Sequence, residues 1–121
     1  MTQPDPVKRK RALRAQFRVS RQDLDARIRA DHDRQIRRHL VSRYTGQSGL
    51  TLGAYLAFDG EPDLEPALSE LRNNGARIAL PVLGVSVPPS MTLKTWTKKT
   101  PLKRNRFGIR EPVDGKPVSL E

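Results

Sequence analysis

The chain has 121 residues, of which 36% are hydrophobic and 5% aromatic, and it contains no cysteine. This length suits one domain with a modest core, and the lack of cysteine excludes disulfides, thiolate metal sites and cysteine nucleophiles. Because no run approaches the length of a membrane span and the N-terminus lacks the apolar core of a signal peptide, we predict a cytoplasmic protein that does not enter a membrane.

Positive charge is concentrated in the first third of the chain. The formal net charge is +10, and residues 1–43 hold 13 of the 23 Lys and Arg residues but only 5 of the 13 Asp and Glu residues. A basic segment of this kind indicates phosphate as a partner, in nucleic acid or in a nucleotide, without distinguishing between the two.

Residues 1–45 are predicted to form a basic helical pair. Asp5 and Pro6 are typical of a helix start, because Asp caps the free N–H groups and Pro suits the first helical position. Ser20 followed by Asp23 resembles a capping box, which would begin the second helix.

One face of the first predicted helix is basic. Lys10, Arg14 and Arg18 are spaced four residues apart, so they lie along one row. Like charges at this spacing repel one another, and an anionic ligand would relieve that repulsion. The alternative is a solvated basic face, and the spacing alone does not decide between them.

Residues 50–81 have the pattern of a βαβ unit. A largely apolar run over residues 50–58 predicts a strand covered on both faces, and DGEPD at residues 59–63 ends it. A helix with an apolar stripe follows, NNG at residues 73–75 stops it, and a second strand returns. Ligands of such sheets collect beyond the carboxyl ends of the strands, which makes Glu61 the first functional candidate.

The remaining residues complete the predicted fold. Residues 91–96 are predicted to be a short strand, so that residues 50–96 comprise the βαβ unit and one further strand. Residues 97–121 have no clear periodicity and three prolines, which favours an irregular tail. We therefore predict one α/β domain over residues 1–121, a three-layer αβα sandwich in which the two N-terminal helices flank an incomplete, mainly parallel sheet.

Familiar catalytic and phosphate-binding motifs are absent from the sequence. It contains no GxxxxGK[ST] loop and no GxGxxG after a strand. Two isolated histidines, His32 and His39, do not make a metal site. The residues alone therefore indicate a small basic α/β domain with an anion-facing helix.

Four motifs, in this order, resemble the 5-formyltetrahydrofolate cyclo-ligase family, also described as methenyltetrahydrofolate synthetases. They are KRALR at residues 10–14, YLAFDGEPD at residues 55–63, Leu80-Pro81 paired with MTLKTW at residues 91–96, and FGIREP at residues 107–112. Their order and spacing extend across nearly the whole chain.

The resemblance implies an ATP-dependent enzyme of folate one-carbon metabolism. Members of the family phosphorylate the formyl oxygen of 5-formyltetrahydrofolate; N10 then attacks, the ring closes and phosphate leaves, giving 5,10-methenyltetrahydrofolate. By resemblance, the ATP-binding residues would be Lys10 and Arg14, and the substrate-binding residues would be Leu56, Glu61, Met91 and Trp96. For Met91 and Trp96 the alternative to substrate binding is packing in the core.

One departure from the family pattern concerns its C-terminal side. The family continues through another strand and a Gly-rich loop, GxGxGYYD, that holds ATP phosphates, with acidic residues nearby that hold Mg²⁺; this sequence ends at Glu121, before them. We therefore expect the N-terminal part of a cyclo-ligase, with its Mg²⁺ ligands outside this chain and phosphoryl transfer slowed or absent. A separately encoded C-terminal half is one partner that would complete it.

Two alternatives to the cyclo-ligase stay open. One is a basic nucleic-acid-binding module formed by residues 7–43, and the other is a non-catalytic remnant of the enzyme. Nucleic acid is disfavoured because aromatic residues are sparse in that segment, with only Phe17 before Tyr44, and because four Asp residues interrupt its basic surface.

Overall fold

A computed structural model describes residues 5–85 and 90–119, and it forms three helices and six strands over these residues. None of these helices has both the length and the apolar character needed to cross a membrane. In chain order, the elements are α1 (Pro6–Gln22), α2 (Ala26–Tyr44), β1 (Thr51–Gly53), α3 (Glu65–Asn73), β2 (Arg77–Leu83), β3 (Met91–Trp96), β4 (Leu102–Arg104), β5 (Arg110–Pro112) and β6 (Pro117–Val118).

The start of α1 is as predicted, but the start of α2 is not. An Asp5 carboxylate oxygen accepts the Val7 N–H at 3.0 Å, which caps α1. Ser20 lies inside α1, where its hydroxyl donates to the Gln16 carbonyl at 3.1 Å, so the predicted capping box is wrong. Asp25 caps α2 instead, by accepting the Arg27 N–H at 2.9 Å.

The βαβ unit is confirmed, although its first strand is short. β1 and β2 pair in parallel, with Leu52 opposite Ile78. An Asp63 carboxylate oxygen accepts the Glu65 N–H at 3.1 Å at the start of α3. The helix ends at Asn73, and Gly75 takes a left-handed φ of 102° in the turn that follows.

The prediction of a mainly parallel sheet is wrong, whereas the α/β class and a broadly αβα arrangement agree with the structure. The main sheet has the order β1-β2-β3-β6, and only β1 and β2 are parallel. β3 runs antiparallel to both β2 and β6. The connection between β2 and β3, residues 84–90, is too short for a parallel crossover, which needs a dozen or more residues.

Residues 97–119 are more regular than the irregular tail that we predicted. β4 and β5 form a second, two-stranded sheet in which Lys103 lies opposite Glu111, and β6 extends the main sheet. These strands have 3, 3 and 2 residues. Strands of that length are too short to produce a recognisable alternation of apolar and polar residues.

The core lies between α3 and the main sheet. Its buried side chains come from α3, β2, β3 and the segment after β1, and Leu40 and Tyr44 of α2 pack against its edge. Neither α1 nor α2 has a buried residue of its own. The buried cluster consists of Leu56, Leu68, Leu71, Ile78, Leu80 and Trp96.

Truncation of a core leucine should therefore be far more costly than truncation of an exposed one. Leu68 is 0% exposed, so Leu68→Ala is expected to lower the free energy of unfolding by about 2–5 kcal/mol through lost burial and a residual cavity. Leu24→Ala, at a position that is 38% exposed, is the matched control and should cost less than about 1 kcal/mol. Urea unfolding of both variants measures the difference, and equal losses would contradict this account of the core.

Candidate functional site

The segment after β1 forms a tight acidic turn, defined here as residues 59–63. Asp59 and Gly60 both have left-handed φ values, of 57° and 79°, and the Glu61 N–H donates to the Phe58 carbonyl oxygen at 3.2 Å. Two consecutive left-handed residues are typical of a type I′ turn, for which Asp-Gly is a preferred pair. The DG sequence therefore specifies the turn that carries Glu61.

The Glu61 side chain folds back over this turn. Its Oε1 accepts the Phe58 N–H at 3.0 Å. Tyr55 lies close by, and partial burial, followed by the negative charges of Glu61 and Asp33, raises the pKa of its phenol, while Arg21 opposes the shift. Glu61 is thus part of a small polar cluster that follows β1, and its role in ligand binding stays a prediction.

The basic row, defined as Lys10, Arg14 and Arg18, runs along α1 toward the acidic turn. Lys10 and Arg14 are exposed. Arg18 Nε lies 2.5 Å from Asp59 Oδ2, and Gln22 Nε2 donates to Asp59 Oδ1 at 2.7 Å. The end of the basic row is therefore joined directly to the acidic turn.

Helix α2 also contacts the acidic turn. Arg37 Nη1 donates to the Asp63 carbonyl oxygen at 3.0 Å, and Arg29 donates to the Arg21 carbonyl oxygen of α1. A side chain at Gly60 would meet Arg21 Cβ and Arg29 Nη1, each at 3.5 Å. The turn is consequently held between the two basic helices.

The FGIREP motif lies near the same end of the sheet. Asn105 Oδ1 accepts the Phe107 and Ile109 N–H groups at 2.9 and 3.1 Å, and a Cβ at Gly108 would lie 3.5 Å from the Phe58 ring. Glu111 Oε2 accepts the Leu83 N–H at 2.7 Å, at the carboxyl end of β2.

An ion pair ties the same motif to α3. Arg110 Nη2 lies 2.7 Å from Glu65 Oε2, at the first turn of that helix. The motif thus shapes a turn and anchors it beside the acidic turn.

The structure separates the predicted site residues into two groups. Glu61 is near the basic row through Asp59, and Met91 is 64% exposed at the carboxyl end of β2, opposite Leu83. Trp96 lies at the other end of β3, opposite Ile78, where it is buried.

Core packing accounts for the second group. The Arg72 guanidinium lies 4.3 Å from the centre of the Trp96 ring, and Leu56 is buried in the core cluster. For Trp96 the structure therefore favours the alternative of core packing. The predicted ligand roles of Lys10, Arg14, Leu56, Glu61 and Met91 stay predictions.

The pairing of Asp59 with Arg18 and Gln22 was missed by sequence reasoning. Arg18 was part of the basic row and Asp59 was part of the acidic turn, but nothing in the sequence indicates that residues 41 positions apart meet. The charges gave a weak signal, because Arg18 is a cation at the end of the basic row and the acidic turn supplies several carboxylates.

The described residues do not fit a bound metal ion. Within residues 5–85 and 90–119, no group of three or more His, Asp or Glu side chains is placed to hold one. Mg²⁺ needs several oxygen ligands in near-octahedral geometry, and the described residues do not supply such a set.

Comparisons with known proteins agree on one family. The family model described as the 5-formyltetrahydrofolate cyclo-ligase family matches residues 6–120. The chain is 24% identical over 106 residues to the 5-formyltetrahydrofolate cyclo-ligase of Haemophilus influenzae, covering 88% of this chain and 57% of that protein. It is 34% identical over 62 residues to the 5-formyltetrahydrofolate cyclo-ligase of Escherichia coli K12, covering 51% of this chain and 34% of that protein.

A solved structure has the same fold. The NMR structure of Aquifex aeolicus 5,10-methenyltetrahydrofolate synthetase matches with a TM-score of 0.60 and 23% sequence identity, over 90% of this chain and 54% of that one. The chain thus spans little more than half the length of the Haemophilus influenzae and Aquifex aeolicus proteins.

The raised pKa of Tyr55 gives a test of the polar cluster. The chain has two tyrosines, so a Tyr44→Phe variant reports Tyr55 alone, and its phenol should ionise above the ordinary value of 10.0. Glu61→Gln in that background should lower the pKa by removing a nearby negative charge, whereas Glu70→Gln should not. Ultraviolet absorbance of the phenolate follows the titration, and an identical pKa with and without Glu61 would refute the proximity.

The same shift predicts how stability depends on pH. Because the folded chain keeps the Tyr55 proton to higher pH than the unfolded chain, the unfolded chain binds fewer protons above about pH 10. The free energy of unfolding should therefore fall as the pH rises from the unfolded pKa through the folded one. Tyr55→Phe should make this fall smaller in urea unfolding at alkaline pH.

Proposed function

Because the chain belongs to the 5-formyltetrahydrofolate cyclo-ligase family, we propose that it acts in the ATP-dependent conversion of 5-formyltetrahydrofolate to 5,10-methenyltetrahydrofolate. The observation that carries the proposal is the direct contact between the basic row of α1 and the acidic turn after β1. These are the two features that would serve the phosphates and the folate, and the fold places them side by side.

Lys10 and Arg14 of the basic row are proposed to bind the phosphates of ATP. Lys10 and Arg14 are exposed, and no carboxylate among the described residues pairs with either of them. Phosphoryl transfer spreads negative charge over the oxygens of the transferring group, so cations placed beside it stabilise the transition state. An anion would also relieve the repulsion between the like charges of the row.

Glu61 of the acidic turn is proposed to bind the folate. The Glu61 carboxylate is oriented by its hydrogen bond to the Phe58 N–H, and a carboxylate is a strong acceptor for the N–H donors of a pterin ring. Met91 is exposed at the same end of the sheet, so it is proposed as apolar wall beside the ring, whereas Leu56 is buried in the core cluster and is assigned no contact with the ring.

In the proposed reaction, the formyl oxygen takes the γ-phosphoryl group of ATP and ADP leaves. N10 of the folate then attacks the formyl carbon and loses its proton to water, and the bond from that carbon to the phosphorylated oxygen breaks, so that phosphate leaves and the ring closes. The contribution of this chain would be to hold the phosphates against cations and the folate against the acidic turn.

A cytoplasmic location and a separately encoded partner half stay predictions.

Ligand binding by matched variants tests both sides of the proposal. Glu61→Gln keeps an oxygen for the Phe58 N–H but removes the charge, so affinity for 5-formyltetrahydrofolate should fall about tenfold or more. Glu70→Gln, at an exposed acid of α3, should leave it unchanged. Calorimetry measures both, and equal affinities in the two variants would argue against a folate site at the turn.

The phosphate side needs its own pair of variants. Arg14→Ala should weaken binding of an ATP analogue about tenfold, while Arg9→Ala, which removes a guanidinium from another face of α1, should have little effect. Turnover by the same two variants is followed by the absorbance of the 5,10-methenyltetrahydrofolate product.

Nucleic-acid binding is the competing outcome. Binding of single-stranded oligonucleotide that weakens steeply with salt, together with no binding of folate or nucleotide, would replace this proposal with the nucleic-acid alternative.

A further inference from the structure

Helix α1 holds both carboxylate oxygens of Asp59. Arg18 Nε lies 2.5 Å from one oxygen, and Gln22 Nε2 donates to the other at 2.7 Å. The Asp59 side chain is only 20% exposed, so its charge is largely withdrawn from water and depends on these two donors. The acidic turn and α1 are therefore joined at one carboxylate.

This contact also sets where α1 lies on the fold. The helix has no buried residue, and Gly60 of the acidic turn lies against its last residues, Arg21 and Gln22. The remaining tertiary hydrogen bond of α1 recorded over the described residues comes from Arg29, which belongs to the neighbouring helix α2. The position of the basic row relative to the sheet is therefore set largely through Asp59.

Glu61 is fixed by the same turn. Asp59 and Gly60 occupy consecutive left-handed conformations, and Glu61 closes the turn with both its N–H and its side chain, through the Phe58 carbonyl oxygen and the Phe58 N–H. A conformation of this kind has few alternatives open to a non-glycine residue. A displacement of the Asp59 carboxylate must consequently be passed on to Glu61, two residues away.

We propose that Arg18 is a positioning residue that couples the phosphate side of the site to the folate side. In this arrangement Arg18 contacts Asp59 rather than either ligand. An anion held by Lys10 and Arg14 restrains α1, and the contact of Arg18 with Asp59 passes that restraint to the turn that carries Glu61, so that the second ligand has less ordering to bring about. Because coupling between two sites is reciprocal, the folate must favour binding of the nucleotide by the same factor.

The test measures that factor directly. The inference rests on the proposed function, since the test uses 5-formyltetrahydrofolate and an ATP analogue as the two ligands. The affinity of the chain for 5-formyltetrahydrofolate is measured by calorimetry with and without a saturating non-hydrolysable ATP analogue, and we expect it to be about fivefold tighter with the analogue. In Arg18→Gln and in Asp59→Asn the factor should fall to about one, while the affinity for each ligand alone changes little.

Two controls separate coupling from a general loss of structure. Arg9→Gln makes the same chemical change on the opposite face of α1 and should keep the wild-type factor. The double variant Arg18→Gln/Asp59→Asn should lose no more than either single variant, because both remove the same contact.

Three other outcomes would each overturn the inference. Equal factors in the wild type and Arg18→Gln overturn the inference and leave the proposed function intact. A loss of affinity for each ligand alone, with the factor unchanged, assigns Arg18 a purely structural role and also overturns it. A wild-type chain that binds neither ligand overturns the proposed function and this inference together.

Discussion

The burial of α3 against the parallel pair β1 and β2 is the constraint on which the rest of the structure depends. The largest fully buried side chains of the described residues are Leu68 and Leu71 of α3 and Ile78 and Leu80 of β2, and burying each contributes about 1.5–3 kcal/mol. With only 5% aromatic residues in the chain, little else can form a second apolar layer. Stability is therefore concentrated in the βαβ unit, and that unit also presents the acidic turn at the carboxyl end of β1.

Helix α1 is attached to this unit mainly by polar contacts, whereas α2 also packs Leu40 and Tyr44 against the edge of the core. Phe17 of α1 is 57% exposed, so the apolar face of α1 contributes little burial. Instead, α1 meets the acidic turn at Asp59, and α2 meets it at the Asp63 carbonyl oxygen. Exposed ion pairs typically contribute less than about 1 kcal/mol. Helix α1, which carries the proposed phosphate-binding residues, is thus held less firmly than α3.

Local chemistry made much of the fold predictable from the sequence, and long-range pairing limited the rest. Asp5 with Pro6, the DG turn and NNG each specify structure through neighbouring atoms, and all three act where the sequence indicated. The direction of β3 depends on the length of the loop before it, which the βαβ pattern obscured. Because β3 is antiparallel, the two ends of MTLKTW lie apart: Met91 is exposed at the carboxyl end of β2, and Trp96 is in the core at the other end. The family motif thus combines an exposed residue with a packing residue, which spacing alone does not separate.

The contact between α1 and the acidic turn has two components that respond differently to salt. Arg18 is 59% exposed and its attraction to Asp59 is Coulombic, so dissolved ions should screen it. The hydrogen bond from Gln22 to the same carboxylate is short-ranged and involves a neutral donor, so it should be much less sensitive. Raising the ionic strength therefore weakens the ion pair while a directional hydrogen bond still holds Asp59. The same ions compete for Lys10 and Arg14, so the proposed binding of phosphate by these residues should weaken at a salt concentration where the acidic turn still keeps its shape.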